Sequence, residues 1–196
     1  HRPGAEVTYH PGEANLRLAD YVIVNKVNTA DEADVRTVEE NVRATNPDAT
    51  LIHADSVVEA DGEAIEGRRV LIVEDGPTLT HGGAAYGAGW IAAHQYGAAE
   101  VVDPAPVAVG SIARVLDEYP HVEAVLPAMG YSEEQVRDLE ATIRNADAEV
   151  VIAGTPFDLA RVVDVDVPVV RVRYELAERD LTLDEVLDRH ARTLGL

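Results

Sequence analysis

The residues best suited to handling a phosphorylated ligand lie between Asp75 and Gly89 of this 196-residue chain. The apolar run Leu71–Val73 leads into Glu74 and Asp75, and a segment rich in Gly, Thr and Pro follows. A strand, a glycine-rich loop and a helix N-terminus form an anion site in many α/β proteins, because backbone N–H groups converge there. The same residues also fit a βα turn with ordinary capping residues, since their spacing matches neither the P-loop nor the dinucleotide fingerprint.

The side chains of this segment differ in what they can do chemically. Asp75 is predicted as a Mg²⁺ ligand and as a catalytic group that orients a hydroxyl. His81 is predicted as a general acid or base or a neutral phosphate contact, with a surface histidine as the alternative. Arg114, on a later predicted helix, would supply a cation, although a structural ion pair explains it equally well. The predicted substrate or phosphate contacts are Gly76, Thr78, Thr80, Gly82, Gly83 and Arg114.

A second polar group, formed by Asn25, Lys26 and Asn28, follows the apolar run Tyr21–Val24. It differs by one residue from the NKxD element with which P-loop GTPases contact the base, because Asn28 stands where that element has Asp. An amide both donates and accepts hydrogen bonds, which weakens guanine selectivity and leaves adenine open. Lys26 is the only lysine in the chain, and an Arg plane would not replace its flexible ammonium stem. The alternative is a solvated strand end.

The phosphate-binding half of such a nucleotide site is not found in this sequence. No G-x-x-x-x-G-K-[ST] motif occurs, so that half is expected upstream of His1. Because the chain also opens with His rather than Met, we expect it to be a piece of a longer protein.

Strand-like and helix-like segments alternate along the whole chain, which predicts a three-layer, doubly wound α/β fold with a mostly parallel sheet. Ligands of such folds bind at the carboxyl ends of the strands. Asp103 and Gly130 are therefore expected on the same edge as Asp75. A helix is predicted over Ala84–Tyr96.

The polar stretch 55–67 is predicted as a loop and as a soft domain boundary. The first predicted domain covers residues 1–60, and the second covers residues 68–196.

Composition restricts the classes of partner. The formal net charge of −20 is spread along the chain, which disfavours nucleic-acid binding through a basic surface. No apolar run is long enough to span a bilayer, and no signal-peptide pattern is present, so a cytoplasmic protein without a membrane partner is expected. The acid excess and the scarcity of Lys resemble proteins of salt-loving archaea, with K⁺ as the accompanying salt. An acidic mesophilic protein is the alternative.

Seven runs along nearly the whole chain carry a family resemblance: 11–17 (PGEANLR), 20–26 (DYVIVNK), 73–83 (VEDGPTLTHGG), 102–104 (VDP), 108–112 (AVGSI), 126–131 (LPAMGY) and 154–156 (GTP). They resemble the archaeal cyclic 2,3-diphosphoglycerate synthetase family, whose members are longer than this chain and contain a P-loop NTPase module. The resemblance implies that this chain is the C-terminal portion of such a protein. Residues 1–60 would then end the P-loop module, and a Rossmann-like α/β portion would follow.

The activity that this resemblance implies is an ATP-dependent ring closure. The substrate would be 2,3-bisphosphoglycerate and the product its intramolecular phosphoanhydride, with release of ADP and phosphate. ATP, with GTP as the alternative, and Mg²⁺ are the implied cofactors. The implied partners are a small phosphorylated substrate and the nucleotide, and a homodimer is left open. Without a P-loop, the fragment alone is expected to be inactive.

Two other function classes are compatible with the same residues. One is a GTP-binding regulatory or metallochaperone-type GTPase, which the Asn25-Lys26 pair favours equally. The other is a non-catalytic α/β domain that binds a small anion or mediates dimerisation.

Overall fold

The computed structural model of the chain describes residues 2–129 and 132–194. In chain order, its helices and strands are α1 (Ala5–Thr8), α2 (Gly12–Leu18), β1 (Tyr21–Val24), α3 (Glu32–Thr45), β2 (Thr50–Glu59), α4 (Gly62–Ile65), β3 (Arg69–Asp75), α5 (Gly76–Thr80), α6 (Ala88–Gln95), β4 (Glu100–Val101), α7 (Gly110–Glu118), β5 (Leu126–Ala128), α8 (Glu133–Asn145), β6 (Val150–Gly154), β7 (Val169–Arg171), β8 (Arg173–Glu178) and α9 (Leu183–Leu194). Two short 3₁₀ helices cover Ala105–Val107 and Leu159–Arg161. Within the described ranges, every helix is too short or too polar to cross a lipid bilayer.

The chain divides into two compact units. Unit 1 comprises His1–Val57 and Glu175–Leu196, and unit 2 comprises Val58–Tyr174. The C-terminal segment therefore belongs to the same unit as the beginning of the chain. The predicted division into residues 1–60 and 68–196 instead joins that segment to the second domain.

The sheet of unit 1 contains β1, β2 and β8 in that order. β1 and β2 are parallel, with Tyr21 paired to Thr50 and Val24 paired to His53. Because β2 continues to Glu59, the prediction of a loop from residue 55 onward is wrong for its first five positions, 55–59. The buried residues of β2 alternate along one face, as a half-buried strand requires. They are Ile52, Ala54, Ser56 and Val58.

The sheet of unit 2 has the order β4-β3-β6-β7, and β5 also pairs with β3. All the pairs within this sheet are parallel. β6 lies along one side of β3, whereas β4 and β5 pair with the beginning and the end of its other side. The prediction of an α/β fold with a mostly parallel sheet is therefore confirmed.

Helices cover both faces of this sheet because alternate residues of β3 point in opposite directions. Leu71 and Val73 pack in one buried cluster with Ile112 of α7 and Leu139 of α8. Residues on the other face of β3 pack against α6. That second cluster includes Val70, Ile72, Ala92 and Ala93. These two clusters fix the position of the residues at the end of β3.

Candidate functional site

The carboxyl ends of three strands lie side by side in unit 2. Asp75 at the end of β3 is paired with Ala128 of β5, and Glu74 is paired with Gly154 of β6. α6, which follows β3, packs on one face of the sheet, whereas α8 and the 3₁₀ helix containing Leu159 pack on the other. In open α/β sheets, the edge at which neighbouring strands have connections that leave in opposite directions is the edge that binds ligands.

Glu74 occupies the N-terminus of α6. Its side chain is buried, with only 2% of the residue exposed. Its Oε1 accepts hydrogen bonds from the backbone N–H groups of Gly87, at 3.1 Å, and Trp90, at 3.0 Å. A carboxylate is stabilised at this position because the N–H groups and the helix dipole both favour negative charge. The helix N-terminus that the sequence pattern marks as an anion site is therefore occupied by a carboxyl group of the protein itself.

Three glycines make room for the Glu74 carboxyl group. A Cβ atom added at Gly87 or Gly154 would collide with that carboxyl group, and one added at Gly89 would lie 2.8 Å from Cγ2 of Ile72. Glycine is needed where a side chain and the backbone approach each other this closely. Glu74 and Gly154 are absent from the predicted site residues. The signal that could have identified the cradle is the Gly87-x-Gly89 spacing after a strand that ends in Glu.

Asp75 begins a short helix in a segment predicted to be a loop. Its Oδ2 accepts hydrogen bonds from Thr78, at 3.2 Å from the backbone N–H and 2.7 Å from the hydroxyl. Pro77 stands in the first turn of α5, where the missing N–H costs nothing. The capped-turn interpretation thus describes the local geometry of Asp75. Mg²⁺ binding by the remaining oxygen lone pairs of Asp75 stays a prediction.

The residues at and after the end of α5 make hydrogen bonds mainly within the segment from Gly76 to Gly83. The N–H groups of Gly82 and Gly83 donate to the carbonyls of Pro77 and Leu79, at 2.9 and 3.2 Å, so these amides already have acceptors. Thr80 donates its hydroxyl to the Gly76 carbonyl at 3.0 Å, and the same oxygen lies 2.8 Å from Nδ1 of His81. His81 is exposed, and Gly83 has a φ of +62°.

Gly76 packs tightly against the neighbouring strand. A Cβ atom added there would lie 2.6 Å from the Ala128 carbonyl oxygen. The structure thus brings the predicted residues 75, 76, 78 and 80–83 into one small turn and helix beside β5.

The N-terminus of α7 is also closed by a carboxylate. Oδ2 of Asp138, on α8, accepts hydrogen bonds from the backbone N–H and the hydroxyl of Ser111, both at 2.7 Å. These bonds, backbone first, hold the pKa of Asp138 below its usual range, and the charge of Arg114 acts in the same direction. A Cβ atom at Gly110, where φ is +53°, would collide with this carboxyl group.

Arg114 and Asp103 lie apart from the Asp75 turn. Arg114 is exposed on α7, and in the described ranges no hydrogen bond or ion pair joins it to residues 75–83. β4 ends at Val101, which is paired with Val70, so Asp103 emerges near the middle of β3 and not at its carboxyl end. Gly130, predicted on the same edge, lies outside the described residues.

The predicted base-binding residues form one turn after β1 in unit 1. The side-chain amide of Asn28 donates to the Ser56 carbonyl at 3.1 Å and accepts from the Ser56 N–H at 3.0 Å. One amide hydrogen and one oxygen lone pair are left for any further partner. Asn25 Oδ1 accepts from the Lys26 N–H at 2.7 Å. Lys26 is exposed and has a φ of +64°, which is uncommon for a non-glycine residue.

His53 of unit 1 lies between two carboxylates. Its Nδ1 is 2.6 Å from Asp180 Oδ2, and its Nε2 is 2.7 Å from Glu39 Oε1. The hydrogen bond to Asp180, followed by the one to Glu39, raises the pKa of His53 despite an opposing effect of burial. His53 therefore joins β2 to α3 and to the segment before α9.

Among residues 2–129 and 132–194, no group of three or more His, Asp or Glu side chains is placed to hold a metal ion.

The chain is similar to a protein of known name. No family model matches it. It is 54% identical over 194 residues to Arginine synthetase ArcE of Thermococcus kodakarensis. The 194 residues make up 98% of this chain and 43% of that protein. The chain therefore spans less than half the length of the curated relative it matches.

Proposed function

We propose that this chain acts as part of a nucleotide-dependent synthetase of the ligase class. The observation that carries the proposal is the 54% identity, over 98% of the chain, to a protein named as an arginine synthetase. The adjacent carboxyl ends of β3, β5 and β6 support it, because open α/β sheets bind their ligands at this edge.

The product that we propose first is arginine. A guanidinium group forms from a ureido group when ATP phosphorylates the ureido oxygen and ammonia then displaces phosphate from the same carbon. Citrulline, ATP and ammonia would thus give arginine, ADP and phosphate, with Mg²⁺ neutralising the phosphoryl oxygens. The oxygen that leaves with phosphate is the former ureido oxygen.

In unit 1, Asn25, Lys26 and Asn28 would contact the base of the nucleotide. In unit 2, Asp75 would hold Mg²⁺ through the lone pairs that Thr78 leaves unused. The exposed imidazole of His81 would exchange a proton with substrate.

A second candidate product is cyclic 2,3-diphosphoglycerate. The resemblance of the 73–83 run to that synthetase family favours it. The chemistry is related, since ATP would phosphorylate a phosphate oxygen of 2,3-bisphosphoglycerate. The other phosphate of the same molecule would then displace inorganic phosphate and close the ring.

The test uses the full-length protein in high KCl, with MgATP or MgGTP and each substrate set. We expect arginine, detected by mass spectrometry, to appear in step with ADP when citrulline and ammonium are supplied. A shifted phosphoanhydride signal in the phosphorus NMR spectrum with 2,3-bisphosphoglycerate would select the second product. GTP hydrolysis without either product would contradict a synthetase and favour a regulatory GTPase.

A further inference from the structure

The hydroxyl group of Thr155 is buried without a compensating hydrogen bond in the described part of the chain. Thr155 follows Gly154 at the carboxyl end of β6 and is 3% exposed. Its Oγ1 has no hydrogen-bond partner among the described residues. The other buried atom of this kind, Asp55 Oδ1 in unit 1, lies 2.8 Å from Nε of Arg179 and so has an ionic partner. An unpaired buried hydroxyl is unfavourable in a folded protein, so Thr155 requires an explanation.

The register of the sheet places Thr155 beside two other polar residues. Since Glu74 is paired with Gly154, Asp75 and Thr155 are the next positions on two adjacent strands. Strand residues alternate between faces, so Asp75 belongs to the face of Val73 and Ala153, which α7 and α8 cover. Thr155 directly follows β6, so a carboxylate and a hydroxyl stand at the ends of neighbouring strands.

Arg171 adds a cation to this corner. It is paired with Ala153 on the edge strand β7, and it therefore belongs to the same face of the sheet as Ala153. Its Nη2 donates to the carbonyl oxygen of Pro156 at 3.0 Å, which brings the guanidinium next to the segment that follows Thr155. The guanidinium keeps its other N–H donors for a further acceptor. Pro156 and Phe157, which follow the buried Thr155, are exposed.

We propose that Thr155 and Arg171 form a subsite for an oxyanion of the substrate, either a carboxylate or a phosphoryl group. The hydroxyl donates one hydrogen bond to the anion, and the guanidinium supplies charge-assisted ones. This subsite deepens the proposed function and rests on it, since it assigns a substrate group to the same edge of the sheet. Asp75 lies on the neighbouring strand, where it would face the cationic or metal-bound part of that substrate.

Thr142 provides a matched control. It is fully buried on α8, and its hydroxyl donates to the Asp138 carbonyl at 2.8 Å and accepts from the Val109 N–H at 3.2 Å. Both threonines are therefore buried, but only Thr142 has its hydrogen bonds satisfied within the protein. Valine has nearly the same shape as threonine, so replacing either threonine by valine removes the hydroxyl group and changes the packing little.

The experiment measures stability and ligand binding in the full-length protein and in its Thr155→Val, Thr155→Ser, Arg171→Gln and Thr142→Val variants. Thr155→Val should leave the melting temperature unchanged or raise it, whereas Thr142→Val should lower it by several degrees. Thr155→Val and Arg171→Gln should weaken binding of an oxyanion probe by about tenfold or more, and Thr155→Ser should restore it. Inorganic phosphate, arginine and 2,3-bisphosphoglycerate are the probes, and they distinguish a phosphoryl from a carboxylate source.

Two results would overturn the subsite. If Thr155→Val lowers the melting temperature as much as Thr142→Val does, the hydroxyl is satisfied inside the protein. If the wild type binds none of the three probes, or Thr155→Val binds them as tightly as the wild type, no oxyanion is held there. Loss of phosphate binding in Thr155→Val, in a protein that makes neither product, would refute the proposed function and leave the subsite intact.

Discussion

The N-termini of α6 and α7 are both closed by carboxylates of the protein, but in different surroundings. Glu74 comes from the end of a central strand, is almost fully buried and lies in a cradle that includes Gly154. Asp138 comes from the facing helix α8 and is only partly buried, and its carboxylate accepts hydrogen bonds from the backbone N–H and the hydroxyl of Ser111. A glycine at the start of a helix therefore looks the same in the sequence whether a carboxyl group of the protein or a bound ligand occupies the helix N-terminus.

The difference in burial decides how each carboxylate contributes to the free energy of unfolding. Burying a charge is unfavourable unless hydrogen bonds compensate, so Glu74 and its cradle should tolerate very little change. Asp138 remains close to water, and its contribution should be smaller and should follow pH in the ordinary way.

Removal of the Glu74 carboxylate should have the largest effect. Glu74→Ala leaves the N–H groups of Gly87 and Trp90 without their acceptor and opens a cavity at the end of β3. We expect a loss of about 3–4 kcal/mol in the free energy of unfolding. Urea unfolding followed by circular dichroism measures it. Glu74→Gln, which keeps the shape and one acceptor oxygen, should lose less, and an equal loss in both variants would show that the charge itself is essential.

Filling the cradle should have the next largest effect. In Gly154→Ala the added methyl group collides with the Glu74 carboxyl group, so the free energy of unfolding should fall by about 2–3 kcal/mol. Gly12→Ala is the control, because nothing lies within 4 Å of a Cβ atom at Gly12. If both substitutions were equally mild in thermal unfolding, the cradle would be looser than the geometry indicates.

The Asp138 cap should contribute less than the Glu74 cap. Asp138→Asn should lower the free energy of unfolding by about 1 kcal/mol at neutral pH. Because the folded-state pKa of Asp138 is lowered, the wild type should hold this advantage above the unfolded-state value, near 3.9, and lose it as pH falls through the folded-state pKa. Urea unfolding between pH 2 and 7 tests this, and a constant difference across that range would contradict it.

The contribution of His53, in unit 1, to the free energy of unfolding should depend on pH in the opposite direction from that of Asp138. Replacing His53 should have the smallest effect of these substitutions. Its folded-state pKa is raised, so its contribution is complete below the unfolded value of about 6.5 and is lost as pH rises through the folded-state pKa. His53→Gln should therefore resemble the wild type more closely at pH 9 than at pH 6. NMR titration of the ring protons reports the pKa directly, and a value at or below the unfolded one would refute this account.

The alternation of strands and helices and several element boundaries follow directly from the sequence. The helix Glu32–Thr45, with Asp31 at its N-cap, is an example, because acids in its first turn and valines on one face mark it clearly in the sequence. The second half of β2 is not predicted from the sequence, because Asp55 and Ser56 interrupt its apolar pattern, although Ser56 is buried.

The candidate site could be predicted only in part. The turn after Asp75 and its position at a strand end follow from the pattern of Gly, Pro and Thr. The anion that fills the α6 N-terminus could not be predicted, because it depends on which way Glu74 turns at the end of β3. The helix predicted from Ala84 begins only at Ala88, after the glycine that approaches this carboxylate. Thr155 and Arg171 meet through strand register, which a single sequence does not reveal.

Phosphoryl activation of a substrate oxygen is the central claim of the proposed function, and an oxygen label tests it most directly. Citrulline carrying ¹⁸O in its ureido group would be turned over by the full-length protein with MgATP and ammonium. We expect one ¹⁸O atom in the inorganic phosphate for each arginine formed, seen as an isotope shift in the phosphorus NMR spectrum. Arginine formed together with unlabelled phosphate, or ADP release that does not depend on citrulline, would contradict the account.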